Sequence, residues 1–326
     1  MNNKGLLYSN TNFSEIPRND ILDFLNLISK FEIPYRDSLN LPSSASFGVE
    51  IEYEGMDKAK ADKFVNILGG WESTIDSTLE SGGEIVSSRL SDEKRVWQDL
   101  YLICELLKCN DAKTDKNAGL HVSVGTHLLG RDYHSWELLA KIYMLYERVL
   151  VRFAKGDKHR MRDTFIYFAR PLGLKMLQQR NLLEKRRLGS IKSFLEDYEE
   201  NKKGAINFRS LDFSRAMSPY NTFELRLFNS TTDNCVIQND VNATLKMTLA
   251  AANKSVDSDL LSERLDRLEA QKLTGQEYLH QCNNVLLRDA FEFVDLIFDN
   301  DLDKVCFLKQ YLGDSSLVTM ASGRSA

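Results

Sequence analysis

The sequence has few cysteines and lacks any apolar run long enough to cross a membrane. Its five cysteines are Cys104, Cys109, Cys235, Cys282 and Cys306. The number is odd and no Cys-x-x-Cys pair occurs, so the sequence indicates neither a disulfide framework nor a zinc knuckle. No run of about 18 apolar residues is present, and the first residues lack the apolar core of a signal peptide. We therefore expect no membrane partner and a cytoplasmic, reducing location.

A surplus of basic residues is also absent. The chain has 42 Lys and Arg against 47 Asp and Glu, whereas nucleic-acid binders usually carry a basic surplus, so we expect no nucleic-acid partner. The charge is unevenly spread. Most charged residues are basic in the segment 152–192 and acidic in the segment 256–303. Two interpretations stay open. The two segments dock on each other or form solvated faces, or the basic segment attracts a polyanion such as ATP.

The chain is long enough, and with 43% hydrophobic residues apolar enough, to fold around a full core. The predicted strands are 47–54, 71–76, 84–88, 119–125, 164–169, 206–213 and 222–229. The predicted helices are 21–31, 57–68, 91–107 and 133–154, and we expect residues 172–200 and about 238–312 to be largely helical. Several strands alternate polar and apolar residues, which is typical of antiparallel sheets. We predict an α+β fold whose largely antiparallel sheet forms a catalytic cleft, with helices packed on its other face.

The same patterns suggest how the chain is divided. We predict a catalytic domain over residues 1–252 and an acidic helical extension over residues 253–312. Residues 313–326 are rich in Ser and Gly, which predicts a disordered tail.

The first predicted strand carries a run of acidic residues. Residues 47–54 read Phe-Gly-Val-Glu-Ile-Glu-Tyr-Glu, so apolar residues alternate with Glu50, Glu52 and Glu54. A period of two places these carboxylates on one face, with neighbours only ~7 Å apart. Carboxylates held so close need water, arginines or hard divalent cations to balance their charge.

Other predicted strands offer partners for such cations. Polar groups lie opposite the apolar faces of these strands at Asp76, Glu84, His121, Glu224 and Arg226. Carboxylates with one imidazole suit two or more Mg²⁺ or Mn²⁺ ions. An arginine beside such ions could neutralise charge during phosphoryl transfer.

The ordered motifs resemble those of the putative amidoligase family. They are Phe-Gly-Val-Glu-Ile-Glu at 47–52, Asp-Ser at 76–77 with Gly-Gly-Glu-Ile-Val-Ser at 82–87, Gly-Leu-His-Val at 119–122, and Phe-Glu-Leu-Arg-Leu-Phe-Asn-Ser-Thr at 223–231. The resemblance covers roughly residues 45–250. It implies a glutamine synthetase-like catalytic fold, shared with glutamate–cysteine ligase. It also implies an ATP- and Mg-dependent ligase that forms an amide or peptide bond through an acyl phosphate.

The resemblance implies roles for single residues. Arg226 would hold the transferring phosphate, and Asp76 would lie near the amine as a further catalytic residue. Arg209 and Asn207, in the segment Gly-Ala-Ile-Asn-Phe-Arg, would lie near the substrate or nucleotide. Lys202 or Lys203 would contact phosphate. The metal ligands would be Glu50, Glu52, Glu84, His121 and Glu224, with His121 on the metal that serves the nucleotide phosphates.

One residue departs from the family pattern. Relatives often carry a second histidine two residues after the first, where this chain has Ser123. Ser123 keeps open an inactive relative that binds a partner, and the implied fold keeps open a phosphotransferase that acts on guanidino groups. For the ligase, the expected partners are small-molecule or peptide carboxylate and amine substrates, and a homo-oligomer stays open.

Overall fold

The structure is a computed structural model that describes residues 3–76, 78–79, 81–114, 116–196, 203–208 and 210–321. Over these residues it is a mixed fold with one antiparallel sheet, which confirms the predicted α+β class. The strands are β1 (Phe47–Glu54), β2 (Trp71–Thr74), β3 (Gly82–Ser87), β4 (Gly119–Gly125), β5 (Ile206–Asn207) and β6 (Thr222–Asn229). Their order across the sheet is β2-β3-β1-β4-β6-β5, and every neighbouring pair is antiparallel.

The register of the central strands aligns the polar residues in rows. Glu52 lies opposite Glu84 on β3, and Glu50 lies opposite His121 on β4. On the next strand pair, Ser123 lies opposite Glu224. Because cross-strand partners point to the same face, residues far apart in sequence become neighbours on one surface of the sheet.

The double glycine at the start of β3 permits close strand pairing. A Cβ on Gly82 would lie 1.9 Å from the carbonyl oxygen of Tyr53, and a Cβ on Gly83 would lie 2.5 Å from that of Thr74. Any other residue would push β3 away from β1 and β2. The glycines thus set the spacing that brings Glu84 beside Glu52.

Helices pack on the opposite, apolar face of the sheet and on one another. They are α1 (Asn3–Tyr8), α2 (Ile21–Ser29), α3 (Lys58–Leu68), α4 (Lys94–Cys109), α5 (Tyr133–Phe153), α6 (Phe165–Phe168), α7 (Gly173–Gln178), α8 (Leu188–Glu196), α9 (Asn234–Ala252), α10 (Ser258–Ala270), α11 (Gly275–Asn283), α12 (Leu287–Ile297) and α13 (Asp301–Ala321). Trp97 of α4 stacks on Phe47 of β1, with ring centroids 5.4 Å apart. The long helices α5 and α9 are buried along almost their whole length. Among the described residues, no helix is both long and apolar enough to span a membrane.

The basic and acidic segments meet, as the first of the two charge interpretations expects. Arg180, from the basic segment, forms ion pairs with Asp266 and Glu269 of α10. Helices α10, α11 and α12 also pack on α5, and the apolar core continues from the sheet into α12 and α13. The division at residue 253 stays a prediction.

Two predicted strands are wrong in whole or in part. Residues 164–169 form the short helix α6, because the amide of Phe168 bonds to the carbonyl of Thr164 and that of Ala169 to Phe165. Aromatic residues favour strands only where a strand partner is available. The strand predicted at 206–213 is limited to Ile206–Asn207, because it lies at the sheet edge and pairs with β6 over those residues alone.

The C-terminal region is helical beyond the predicted boundary. The backbone of α13 continues to Ala321 with a break at Gly313, whose φ is 59°. Residues 322–326 lie outside the described residues, so the disordered tail stays a prediction.

Candidate metal centre

Three neighbouring strands bring two carboxylates to one imidazole. We call Glu50, His121 and Glu224 the histidine site. The Nδ1 atom of His121 lies 3.1 Å from Oε2 of Glu50 and 3.2 Å from Oε1 of Glu224. One ligand atom from each residue lies within 4.8 Å of the others. This spacing lets a single cation contact all three residues.

A second group of carboxylates lies beside the first. We call Glu52, Asp76 and Glu84 the acidic site, because one oxygen of each also lies within 4.8 Å of the others. Thr74 donates a hydrogen bond of 2.5 Å to Glu84. Asp76 accepts bonds of 2.7 and 2.8 Å from the amide and hydroxyl of Thr78, which fix the turn after β2. The predicted place of Asp76 near the amine stays a prediction, and its carboxylate lies beside the predicted metal ligands Glu52 and Glu84.

His121 connects the two sites. Its Nε2 atom lies 3.3 Å from Oε1 of Glu52, whose other oxygen accepts a hydrogen bond from the amide of Gly119. If Nε2 donates its proton to Glu52, the lone pair of Nδ1 points between Glu50 and Glu224. A carboxylate behind a histidine commonly fixes the ring in this way for metal binding.

Burial keeps the His121 imidazole neutral. The residue is 3% exposed, and burial lowers its pKa to about 3 against the opposing effect of Glu224. At neutral pH the ring is therefore uncharged, which is the form that binds metals.

The carboxylates show the opposite shift. Burial raises the pKa of Glu50 and of Glu84, and it raises the pKa of Glu52 to about 7. The negative charge of Asp76 adds to each shift. A divalent cation would reverse these shifts, because it favours the ionised form of each ligand. Carboxylate oxygens with one imidazole nitrogen suit Mg²⁺ or Mn²⁺.

Arg226 and Asn207 hold Glu224 in place. The guanidinium of Arg226 lies 3.0 and 3.2 Å from the two oxygens of Glu224, and Asn207 donates a 2.9 Å hydrogen bond to one of them. The Nε atom of Arg226 is buried without a hydrogen-bond partner among the described residues. Arg226 thus has donor capacity left for a ligand, while Asn207 is placed to orient Glu224.

The predicted contacts of the remaining residues stay predictions. The ammonium of Lys203 lies 5.3 Å from the ring centroid of Phe168, and its predicted contact with phosphate stays a prediction. Lys202 and Arg209 lie outside the described residues.

Sequence reasoning missed Arg162. Its side chain donates to the carbonyls of Arg226, Leu227 and Phe228 at the end of β6. A Cβ added to Gly119 would lie 3.0 Å from the guanidinium carbon of Arg162. The negative charge of Glu52 favours the charged form of Arg162. Burial lowers the pKa of Arg162 to about 10, so it stays charged. No motif marks this arginine; it is one of many basic residues in its segment.

A small cavity of about 200 Å³ is lined in part by Glu50. Its floor includes Gly48 and Ser123, and Arg89 and Tyr220 line it as well. A Cβ on Gly48 would already lie 3.6 Å from that of Ser123, so the small side chain of Ser123 helps to keep the cavity open. The guanidinium of Arg89 lies 5.4 Å from the ring centroid of Tyr220.

Comparison with models of known protein families identifies a family for this chain. The family model described as putative amidoligase enzyme matches residues 72–248, more than half of the chain. This span contains Asp76, Glu84, His121, Glu224 and Arg226, while β1 with its acidic run precedes it. A search of curated proteins found no match. By its sequence, the chain belongs to the putative amidoligase enzyme family, whose name indicates a ligase.

Proposed function

We propose that the protein is an ATP-dependent ligase that uses Mg²⁺ or Mn²⁺ to join a carboxylate to an amine. One observation carries the proposal: the two adjacent sites of three ligands each, on one face of the sheet. Membership of an amidoligase family supports the reaction class. The antiparallel sheet with ligands on one face and helices on the other supports the glutamine synthetase-like fold that the motifs imply.

Different residues of the site would bind different parts of the nucleotide. The histidine site would hold the cation that serves the nucleotide phosphates, and the acidic site would hold a second cation. Such cations neutralise phosphate oxygens and orient them for in-line transfer. Arg226, fixed by Glu224, places positive charge beside the transferring phosphoryl group. The cavity lined by Tyr220 and Arg89 offers a flat surface to the base of the nucleotide.

The proposed reaction has two steps. A carboxylate oxygen of the first substrate attacks the γ-phosphorus of ATP, the bond to the β–γ bridging oxygen breaks, and ADP leaves. The amine nitrogen of the second substrate then attacks the carbonyl carbon of the acyl phosphate, inorganic phosphate leaves, and the nitrogen loses a proton to a base. Positioning and charge neutralisation supply most of the acceleration.

The test measures ADP release and the product mass with ATP, Mg²⁺, and pooled amino acids and peptides. Wild-type protein should release ADP and form an amide, and Glu50→Gln should remove both activities. Glu54→Gln is the matched control. Glu54 lies on the same strand and accepts a long 3.5 Å hydrogen bond from Asn117, but it belongs to neither site. Its variant should keep the wild-type rate.

Two outcomes would count against the proposal. Folded wild-type protein that releases no ADP with any mixture would leave the ligase without support. A phosphoramidate in place of an amide would identify a phosphotransferase instead.

A further inference from the structure

A further cavity lies away from the metal centre, where the C-terminal helices meet α5. Its volume is about 630 Å³, within the range of sites for small molecules. We call it the arginine cavity, since its lining includes Arg148, Arg264, Arg267 and Arg288.

The position of these arginines is unusual for their segment. Residues 256–303 contain 12 acidic and only 4 basic residues. Three of the four basic residues, Arg264, Arg267 and Arg288, line this one cavity. The fourth, Lys272, does not. The segment's scarce positive charge is thus concentrated where it faces a further arginine from α5.

Arg148 is the buried arginine of the set. It is 6% exposed, and it bonds to Gln281 and, at 3.3 Å, to Asp289. Its Nε atom is buried and has no hydrogen-bond partner among the described residues. A buried donor without a partner is costly, and a ligand oxygen that reached this atom would remove that cost.

The cavity's own acids do not balance the arginines. Two carboxylates line it, Asp289 and Glu292, so four guanidinium groups less two carboxylates leave a surplus of two positive charges. Glu292 lies 2.8 Å from Arg264 and 3.2 Å from Arg288. Arg267 pairs with Glu263, which lies outside the lining.

Hydrogen-bonding groups in the same cavity complete a recognition site. The hydroxyl of Tyr146 accepts a 2.8 Å bond from Arg264, and Gln281 and Asn284 add side-chain amides. Planar guanidinium groups bind phosphate and carboxylate oxygens in pairs. A small anion with two negative charges matches both the charge surplus and the donors.

We propose that the arginine cavity binds a small dianion, carrying either a phosphate group or two carboxylates, at the junction between α5 and the helices α10, α11 and α12. The ligand neutralises the surplus charge, satisfies Arg148 and holds the C-terminal helices on the core. This site is separate from the metal centre and does not depend on the ligase reaction.

The test is calorimetric titration of the full chain without divalent cations, using inorganic phosphate in one arm and succinate in the other. Wild-type protein should bind at least one of them. The double variant Arg267→Gln/Arg288→Gln changes two rim residues whose side chains are 68% and 87% exposed, so it should fold normally. It should weaken binding by about tenfold or more.

Two further variants make the test specific. Lys272→Gln removes a positive charge from the same segment outside the cavity, so binding should stay as in wild type. Arg148→Lys keeps the charge but loses Nε, so binding should weaken although the charge is unchanged.

Three results would overturn the proposal. One is no binding of either anion by folded wild-type protein. Another is equal binding by wild type and the rim double variant. The third is phosphate binding that Glu50→Gln removes and the rim variant retains, because that would place the ligand at the metal centre.

Discussion

The buried carboxylate Glu147 and the buried carboxylates of the acidic site balance their charge in different ways. Glu147 of α5 is fully buried, yet four donors surround it: the hydroxyls of Tyr143 and Tyr278 at 2.5 and 2.8 Å, and the amides of Leu172 and Gly173 at 2.7 and 2.6 Å. Burial raises its pKa, and all four donors act against that shift. This carboxylate ties α5 to α7 and α11.

Glu52 of the acidic site is nearly as buried as Glu147 but has fewer hydrogen-bond donors around it. Its described hydrogen-bond and ion-pair partners are the amide of Gly119 and the ring of His121. The positive charge of Arg162 also favours its ionised form, yet burial raises its pKa to about 7. Where the protein supplies its own donors, a buried acid stabilises the fold. Where acids gather without donors, a cation is the partner that their arrangement fits.

The largest expected effect is a loss of activity when a ligand of the metal centre is changed. Glu224→Gln removes a ligand of the histidine site and frees Arg226, so the rate of ADP formation should fall by about a thousandfold. Thermal unfolding of the metal-free variant should stay close to wild type, which shows that the loss is not misfolding. Steady-state kinetics at saturating Mg²⁺ measure the rate, and a loss below tenfold would contradict the assigned role.

A change at Glu147 should instead lower the stability of the fold. Glu147→Gln places an amide where two backbone amides donate, so the free energy of unfolding should fall by about 4 kcal/mol. Urea denaturation with and without Mg²⁺ measures it, and the loss should be the same in both. A loss that Mg²⁺ abolishes would indicate that Glu147 belongs to the metal centre.

The raised pKa of Glu52 predicts a pH effect on the metal-free protein. The folded state keeps a proton that the unfolded state releases, so this stabilising contribution is present below about pH 4.5 and is lost as the pH rises to about 7. Relative to wild type, Glu52→Gln should therefore gain about 3 kcal/mol between these limits. Denaturation curves at a series of pH values measure the difference. A pH-independent difference would show that the pKa of Glu52 is the same in the folded and unfolded states.

A smaller effect, on the affinity for Mn²⁺, is expected from a change at Arg162, whose charge acts on Glu52. Arg162→Lys keeps a positive charge but cannot reach three carbonyls at once, so Mn²⁺ affinity should weaken by about tenfold. Arg160→Lys is the control, because Arg160 is exposed and pairs only with Asp163 among the described residues. The Mg²⁺ dependence of the rate separates positioning from general damage, since KM for Mg²⁺ should change more than kcat.

The sequence predicted the parts of the fold that local patterns determine. The alternation in β1 and β6 and the helical periodicity of α5 are strong signals, and both strands and that helix form with nearly the predicted bounds. The edge strand β5 and the helix α6 were misjudged, because the pairing partner of a strand is decided by the rest of the chain. The wrong elements lie away from the central strands.

The candidate site was predicted in its members but not in its grouping. Alternation indicated that Glu50, Glu52 and Glu54 share a face, yet only the register with β3 and β4 separates Glu54 from the other two. Asp76 joins the acidic site through a turn, and Arg162 reaches Glu52 from a loop. Such convergence depends on long-range packing, which no local spacing encodes.

The most direct test of the central claim is calorimetric titration of the metal-free protein with Mn²⁺. The two sites predict two cations per chain, one lost in Glu224→Gln and the other in Glu84→Gln, with both retained in Glu54→Gln. Absence of Mn²⁺ binding by folded wild-type protein, or equal loss in all three variants, would contradict the account.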